Sequence, residues 1–211
     1  RGLTIDLGFA STNLPSGRTI AIIDVPGHVR FLKNMLAGVG AVDACMFVVS
    51  AVEGWMPQSE EHLRILHLLD VTHGVVALTQ VDLVDKETLE LAQLDVAEHL
   101  EHTFLADAPV IPVDSISGFG LDDVREALDV VLDDTPQAAD NNQPRLWVDR
   151  AFAAKGSGTV VTGTLTGGSL KVDDELVVEP GGRPVRIRAI QSLHQSTKKI
   201  GPGNRVALNL S

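Results

Sequence analysis

The sequence predicts an α/β domain with a mostly parallel sheet, followed by a small antiparallel β-barrel. Three observations carry this. Over residues 1–134, short apolar runs alternate with segments of helical periodicity. Residues 135–144 are polar, aperiodic and end in proline. From Arg145 onward only strand-like runs remain, separated by turns rich in Gly and Pro.

Element by element, Leu3–Ala10 and Thr19–Asp24 read as strands joined by the turn residues Asn13 to Gly17. His28–Gly38 reads as a helix whose apolar face is Phe31, Leu32, Met35 and Leu36. Cys45–Ser50 is a buried strand, Gln58–Leu69 a helix, Gly74–Thr79 a strand, Glu87–His102 a helix, Pro109–Val113 a strand and Leu121–Leu132 a helix. This alternation predicts a sheet covered on both faces. Thr135–Pro144 reads as a linker. The barrel strands are expected at Leu146–Ala154, Gly158–Thr166, Glu175–Glu179, Val185–Leu193 and Arg205–Leu210. The expected domains are therefore 1–134, a linker at 135–144, and 145–211.

Composition excludes several classes. At 211 residues, 44% hydrophobic and 21% charged, the chain has a globular composition. No apolar run approaches the roughly 18 residues needed to span a bilayer, and no signal-peptide pattern opens the chain. One cysteine, Cys45, rules out an internal disulfide and points to the cytosol; in its apolar run it reads as a small packing residue rather than a nucleophile. The chain starts at Arg1, inside a strand-like run, so the natural protein is expected to extend upstream. Residues 1–144 hold 7 Lys and Arg against 23 Asp and Glu, whereas residues 145–211 hold 10 against 5. The acidic first half is a poor nucleic-acid surface; the basic second half could face a phosphate backbone, and a charge of this size is equally that of an ordinary solvated surface.

The chemistry centres on Asp24-Val25-Pro26-Gly27-His28, where a strand hands over to a helix. Ligands of open α/β sheets sit at the carboxyl ends of strands. Asp24 there can hold Mg²⁺, which takes few carboxylates and keeps much of its water. Gly27 lets a backbone N–H approach a terminal phosphate, and His28 can orient a water for attack on it. The plainer alternative is a strand-to-helix turn capped by Asp24. Thr4 offers a hydroxyl of the kind that completes Mg²⁺ coordination in nucleotide switches. At the end of another apolar strand, Thr79-Gln80-Val81-Asp82 places a carboxylate able to accept from N1 and the 2-amino group of guanine, which adenine does not present.

Together, Arg1-Gly2-Leu3-Thr4-Ile5, Asp24-Val25-Pro26-Gly27-His28 and Gln58-Ser59-Glu60-Glu61-His62 resemble the translational GTPases of the EF-Tu-like group. The resemblance implies a P-loop-NTPase-like G domain binding GTP or GDP with Mg²⁺. Thr4 and Asp24 would be metal ligands, Gly27 the γ-phosphate contact, His28 the residue positioning the hydrolytic water on the ribosome, and Thr79 and Asp82 the base-reading positions. In the second half, the segments Asp149–Thr164 and Gly203–Leu210 resemble the second domain of the selenocysteine-specific (SelB-type) factors. That implies a pocket of Asp149, Arg150 and Arg205 for the selenocysteinyl group of its tRNA. Two guanidiniums with an Asp to orient them would favour a selenolate over a neutral serine hydroxyl; the plainer alternative is that Arg150 and Arg205 form ordinary surface ion pairs. The implied function is delivery of selenocysteinyl-tRNA to the ribosome at recoded UGA codons, with the mRNA hairpin read by a further C-terminal region. A general elongation or initiation factor with another cargo, and a non-hydrolysing tRNA- or ribosome-binding module, are the competing readings.

Departures from the pattern are specific. No Gly-x-x-x-x-Gly-Lys-Ser/Thr occurs in the 211 residues, so the first strand and phosphate loop of such a domain are expected to be missing and this stretch alone to be inactive. Gln80 stands where the base motif usually has Lys and is expected to weaken binding. His99 and His102 share a helix face without a third metal ligand; His62 and His67 read as helix packing or solvent contacts. Trp55 is expected in a mobile segment, Trp147 packed in the barrel, and Asp129 to Asp134 as a solvated helix end.

Overall fold

The computed structural model describes residues 5–31, 35, 42–154 and 158–211. The chain divides into two units. The first takes residues 1–8, 12–20 and 24–136; the second takes residues 9–11, 21–23 and 137–211.

The first unit is α/β. β3 (Cys45–Ser50), β4 (Gly74–Thr79) and β5 (Val110–Val113) form a parallel sheet in that order, while the hairpin of β1 (Gly8–Asn13) and β2 (Thr19–Asp24), whose residues 9–11 and 21–23 belong to the second unit, forms a separate two-stranded sheet. Helices α1 (Pro57–Leu68), α2 (Lys86–Leu100) and α3 (Leu121–Asp134) alternate with those strands. β4 is buried almost throughout, and its period of two sends alternate residues to opposite faces. Val76 and Leu78 join Phe47, Val49, Leu63, Leu66, Val96 and Leu100, while Val75 and Ala77 join Ile111, Val113 and Val124. The sheet is thus covered on both sides, as the alternation predicts.

Local chemistry explains the boundaries. Pro57 starts α1, where its missing N–H costs no helical bond. Asp85 caps α2 by accepting from Thr88 N–H at 2.8 Å. Gly120 precedes α3 at φ +75°, and a Cβ there would lie 2.0 Å from the Pro112 carbonyl oxygen, so only glycine fits the turn. Cys45 packs against Gly74, and burial pushes its thiol up to about 12, consistent with a packing role.

The second unit is a curled antiparallel sheet around one core. Its main strands run β11 (Gln195–Thr197), β10 (Arg183–Ser192), β13 (Asn204–Leu210), β7 (Gly158–Thr166) and β6 (Arg145–Ala154), with β9 (Glu175–Val178) on β10. The two-residue strands β8 (Leu170–Lys171) and β12 (Lys199–Ile200) pair separately. Leu165, Leu170, Ile187, Ile190, Val206, Leu208 and Leu210 fill the interior. β8, β11 and β12 escape sequence reading because two or three residues carry no visible alternation. Within Thr135–Pro144, Asn141 and Gln143 N–H both donate to the Gly167 carbonyl and Ser169 bonds Asp140, which holds this irregular segment against the sheet's Gly167 turn.

Several expectations are corrected. The first strand begins at Gly8; Ile5 to Leu7 are not strand, and Leu3 and Thr4 lie outside the described residues. Of the helix expected at His28–Gly38, the described part is a single 3₁₀ turn at Val29–Phe31 and the helical, buried Met35; residues 32–34 and 36–41 lie outside. Trp55 is not in a loose segment: its ring stacks between Phe47 (5.6 Å) and His99 (4.8 Å). Trp147 is half exposed, with Arg145 over its ring and its Nε1–H on Thr166 Oγ1. The acidic end of α3 is not simply solvated. Asp129 is buried and accepts from Ser16 N–H and Oγ–H at 2.7 Å each, and Asp133 pairs with Arg18 at 2.6 Å. Four-residue spacing puts both carboxylates on one face of α3, against the hairpin loop. Among the described residues no helix is long and apolar enough to cross a membrane.

Candidate functional site

Asp24 ends β2 with an exposed carboxylate that makes no hydrogen bond among the described residues. Gly8 faces it closely: a Cβ there would sit 3.1 Å from Asp24 Cβ. Further along the chain, His28 opens the 3₁₀ turn. Its carbonyl accepts from Phe31 N–H at 2.8 Å and its Nδ1 accepts from Arg30 N–H at 3.2 Å. With Nδ1 occupied as acceptor, the neutral ring carries its proton on Nε2. Gly27, between them, directs its carbonyl at His62 of α1, whose Nε2 lies 3.0 Å away. His62 is therefore no mere packing or solvent residue. Sequence reading missed it because α1 alone does not reveal what its exposed side faces.

At the carboxyl end of β4, Thr79 Oγ1 donates to the Val49 carbonyl at 3.2 Å and Thr79's own carbonyl accepts from Ala51 N–H. Gln80 then turns into the left-handed region at φ +61°, and its side-chain oxygen accepts from Ser50 Oγ. Asp82 follows in a 3₁₀ turn, exposed and without a hydrogen-bond partner among the described residues. Gln80 thus folds onto β3 and leaves Asp82 as the carboxylate presented to solvent. After β5, Asp114 is 6% exposed and accepts from Ile116 and Ser117 N–H at 2.8 and 2.9 Å. Hydrogen bonds from Ser117 and Ile116 hold its carboxyl below the usual aspartate range. Thr4 lies outside the described residues, and no three His, Cys, Asp or Glu side chains converge on a metal position among those described.

The second cluster lies wholly within the second unit. Between the pairs Val148–Gly163 and Arg150–Thr162, the register of β6 on β7 shifts by one, leaving Asp149 as the extra residue of a bulge. Gly163 makes the bulge possible, since a Cβ there would lie 2.0 Å from the Trp147 carbonyl oxygen. The bulge turns Asp149 toward β13, where Arg205 Nη2 sits 2.9 Å from each of its oxygens and Thr162 Oγ1 donates to Oδ1 at 2.6 Å. The Asp149 side chain is 7% exposed and that of Arg205 20%. Phe9, a residue the sequence did not single out, lies with its ring 3.5 Å from Arg205 Cζ and 5.0 Å from Arg150 Cζ. Arg205 Nε is buried and has no hydrogen-bond partner among the described residues. One nitrogen of the Arg205 guanidinium is thus braced by a carboxylate, and a second arginine lies on the same aromatic ring. The structure thus brings Asp149 and Arg205 into direct contact and Arg150 beside them through Phe9.

Both halves of the chain have counterparts among known proteins. The Elongation factor Tu GTP binding domain family matches residues 1–137, and the chain belongs to that family of GTP-binding proteins. Among curated proteins it is similar to the selenocysteine-specific elongation factor of Desulfomicrobium baculatum, at 40% identity over 210 residues, and to that of Escherichia coli, at 42% over 211. Each alignment takes in the whole chain but 33% and 34% of the relative, so the chain spans about a third of these relatives' length. A crystal structure of a bacterial selenocysteine-specific elongation factor superposes with a TM-score of 0.93 at 37% identity, over 99% of this chain and 36% of that one. The corresponding factor of Methanococcus maripaludis, solved with the GTP analogue GppNHp, gives 0.92 at 30% identity, over 99% of this chain and 46% of that one.

Proposed function

We propose that this chain is part of a cytoplasmic translation elongation factor that binds GTP, hydrolyses it on the ribosome and delivers selenocysteinyl-tRNA at recoded UGA codons. Residues 1–134 act as its G domain, 135–144 as a linker and 145–211 as a β-barrel domain. The ribosome and selenocysteinyl-tRNA are its partners, and the mRNA recoding hairpin is read elsewhere in the complete factor.

In this reading Asp82 accepts from N1 and the 2-amino group of guanine, with Thr79 shaping the turn beside it. Gly27 presents its backbone to the γ-phosphate. His28 uses Nε2–H to orient the attacking water, its Nδ1 being held by Arg30 N–H. Asp24, exposed and unpartnered among the described residues, suits a hard cation, and together with Thr4 it would hold Mg²⁺. That ion, when bound, neutralises charge between the β- and γ-phosphates.

The observation that carries the cargo assignment is Arg205, anchored by Asp149 while its buried Nε–H lacks a partner among the described residues. A selenol is ionised at neutral pH and a serine hydroxyl is not. A seryl group would leave the guanidinium donor unsatisfied, which discriminates by charge rather than by size. The test measures binding of selenocysteinyl-tRNA and seryl-tRNA to the complete GTP-loaded protein. The wild type is expected to prefer selenocysteinyl-tRNA strongly and Arg205→Ala to lose the preference. Equal binding by the wild type would refute the assignment and favour a general elongation or initiation factor.

A further inference from the structure

The contact between His62 and Gly27 is left without a role by the reaction proposed above. The Gly27 carbonyl oxygen can only accept, so His62 Nε2, 3.0 Å away, must donate. A Cβ on Gly27 would lie 3.2 Å from His62 Cε1, close enough to push the imidazole back by a few tenths of an ångström. His62 stands on α1, whose Leu63 and Leu66 are buried in the main core of the first unit. Val25 packs against that same core and Pro26 is buried; beyond them, among the described residues, the hydrogen bonds of Gly27 and His28 run to His62 and, within their own turn, to Arg30 and Phe31.

We propose that His62 is a positioning residue for hydrolysis, fixing the plane of the Gly27–His28 peptide and through it the direction of the His28 side chain. A trans peptide is rigid and planar, so holding the Gly27 oxygen fixes where the His28 N–H points and where the His28 Cα begins. The donor comes from a packed helix, and its tautomer is dictated by the acceptor. The device therefore transmits the rigidity of the core to a segment that otherwise hydrogen-bonds within its own turn. A misplaced catalytic group costs rate steeply while leaving nucleotide binding nearly intact, because binding rests on other contacts. This inference rests on the hydrolytic role given to His28.

The experiment uses the complete factor with ribosomes and compares wild type, His62→Ala, His62→Gln and His28→Ala. Single-turnover GTP hydrolysis, ribosome concentration dependence, GDP affinity and thermal unfolding are measured. His62→Ala is expected to lower the rate at saturating ribosomes roughly tenfold, with the half-saturating ribosome concentration and GDP affinity unchanged. His62→Gln, which keeps an N–H donor of similar reach, is expected to recover most of that loss. A wild-type rate in His62→Ala, or a His62→Gln rate no better than that of Ala, overturns the inference, as does a rate loss matched by lost GDP affinity or lost folded protein. If His28→Ala hydrolyses at the wild-type rate, the hydrolytic reading itself fails. If His28→Ala is inactive and His62→Ala is not, only the role of His62 falls.

Discussion

Arg205 holds both oxygens of the Asp149 carboxylate through a single nitrogen, Nη2, at 2.9 Å each, and Thr162 closes the arrangement from β7. The cation and the anion come from strands that do not pair with each other; β7 lies between them. Each is nearly out of water, so each depends on the other to offset its desolvation.

That dependence predicts the effect of removing one partner. Asp149→Ala in the complete protein should cost about 2–3 kcal/mol, somewhat below the usual loss for a fully buried pair because Arg205 keeps some solvent contact. Urea unfolding followed on the barrel, with Arg205→Met and the double variant completing a cycle, checks this. The double variant should lose less than the sum of the two single variants.

The bulge depends on glycine in the facing strand. Gly163→Ala would push a methyl into the Trp147 carbonyl, and the strands must part or the bulge must be lost. A loss of about 2 kcal/mol or more is expected, together with weaker preference for an anionic cargo group. Gly201→Ala, whose nearest neighbour would be Ser169 Oγ at 3.9 Å, should stay within about 0.5 kcal/mol of wild type.

Acid sensitivity should trace in part to Asp114. Its carboxyl is held below its ordinary value by hydrogen bonds from Ser117 and Ile116. A depressed folded-state pKa adds stability that is complete above the unfolded value, about 3.9 for aspartate, and is lost as pH falls through the folded one. Unfolding midpoints measured from pH 7 down to pH 3 should therefore fall at the acid end. Asp114→Asn should be less stable at neutral pH and show a shallower acid decline. Asp129, held down chiefly by its bond from Ser16, should give a second component of the same sign.

Base selectivity should rest on Asp82. Asp82→Asn replaces an acceptor of two N–H groups by an amide and should weaken GDP binding to the complete factor about 100-fold, the worth of losing charge-assisted bonds. Xanthosine diphosphate, which presents a carbonyl at C2 where guanine has an amine, should gain. Nucleotide competition on the purified protein reads both changes. Unchanged GDP affinity would remove Asp82 from the base site.

Much of this protein was determined locally and is therefore legible in one dimension. β3, β4 and β7 fall at the residues their apolar runs mark, because a strand's buried face repeats every two residues whatever surrounds it. Asp24, Gly27, His28 and Asp82 stand at or just past strand ends for the same reason: the motif and the end of the strand are one stretch of chain. Asp149 and Arg205 could be nominated by resemblance to a family, but nothing in their 56-residue separation says that they touch. Only the tertiary structure decided that a one-residue register shift aims Asp149 at β13, that Phe9 lies under two guanidiniums, that Asp129 serves the hairpin loop, and that His62 reaches Gly27. Each of these joins side chains distant in sequence, and such pairings depend on sheet register and on the packing of whole elements, which no local pattern of residues encodes.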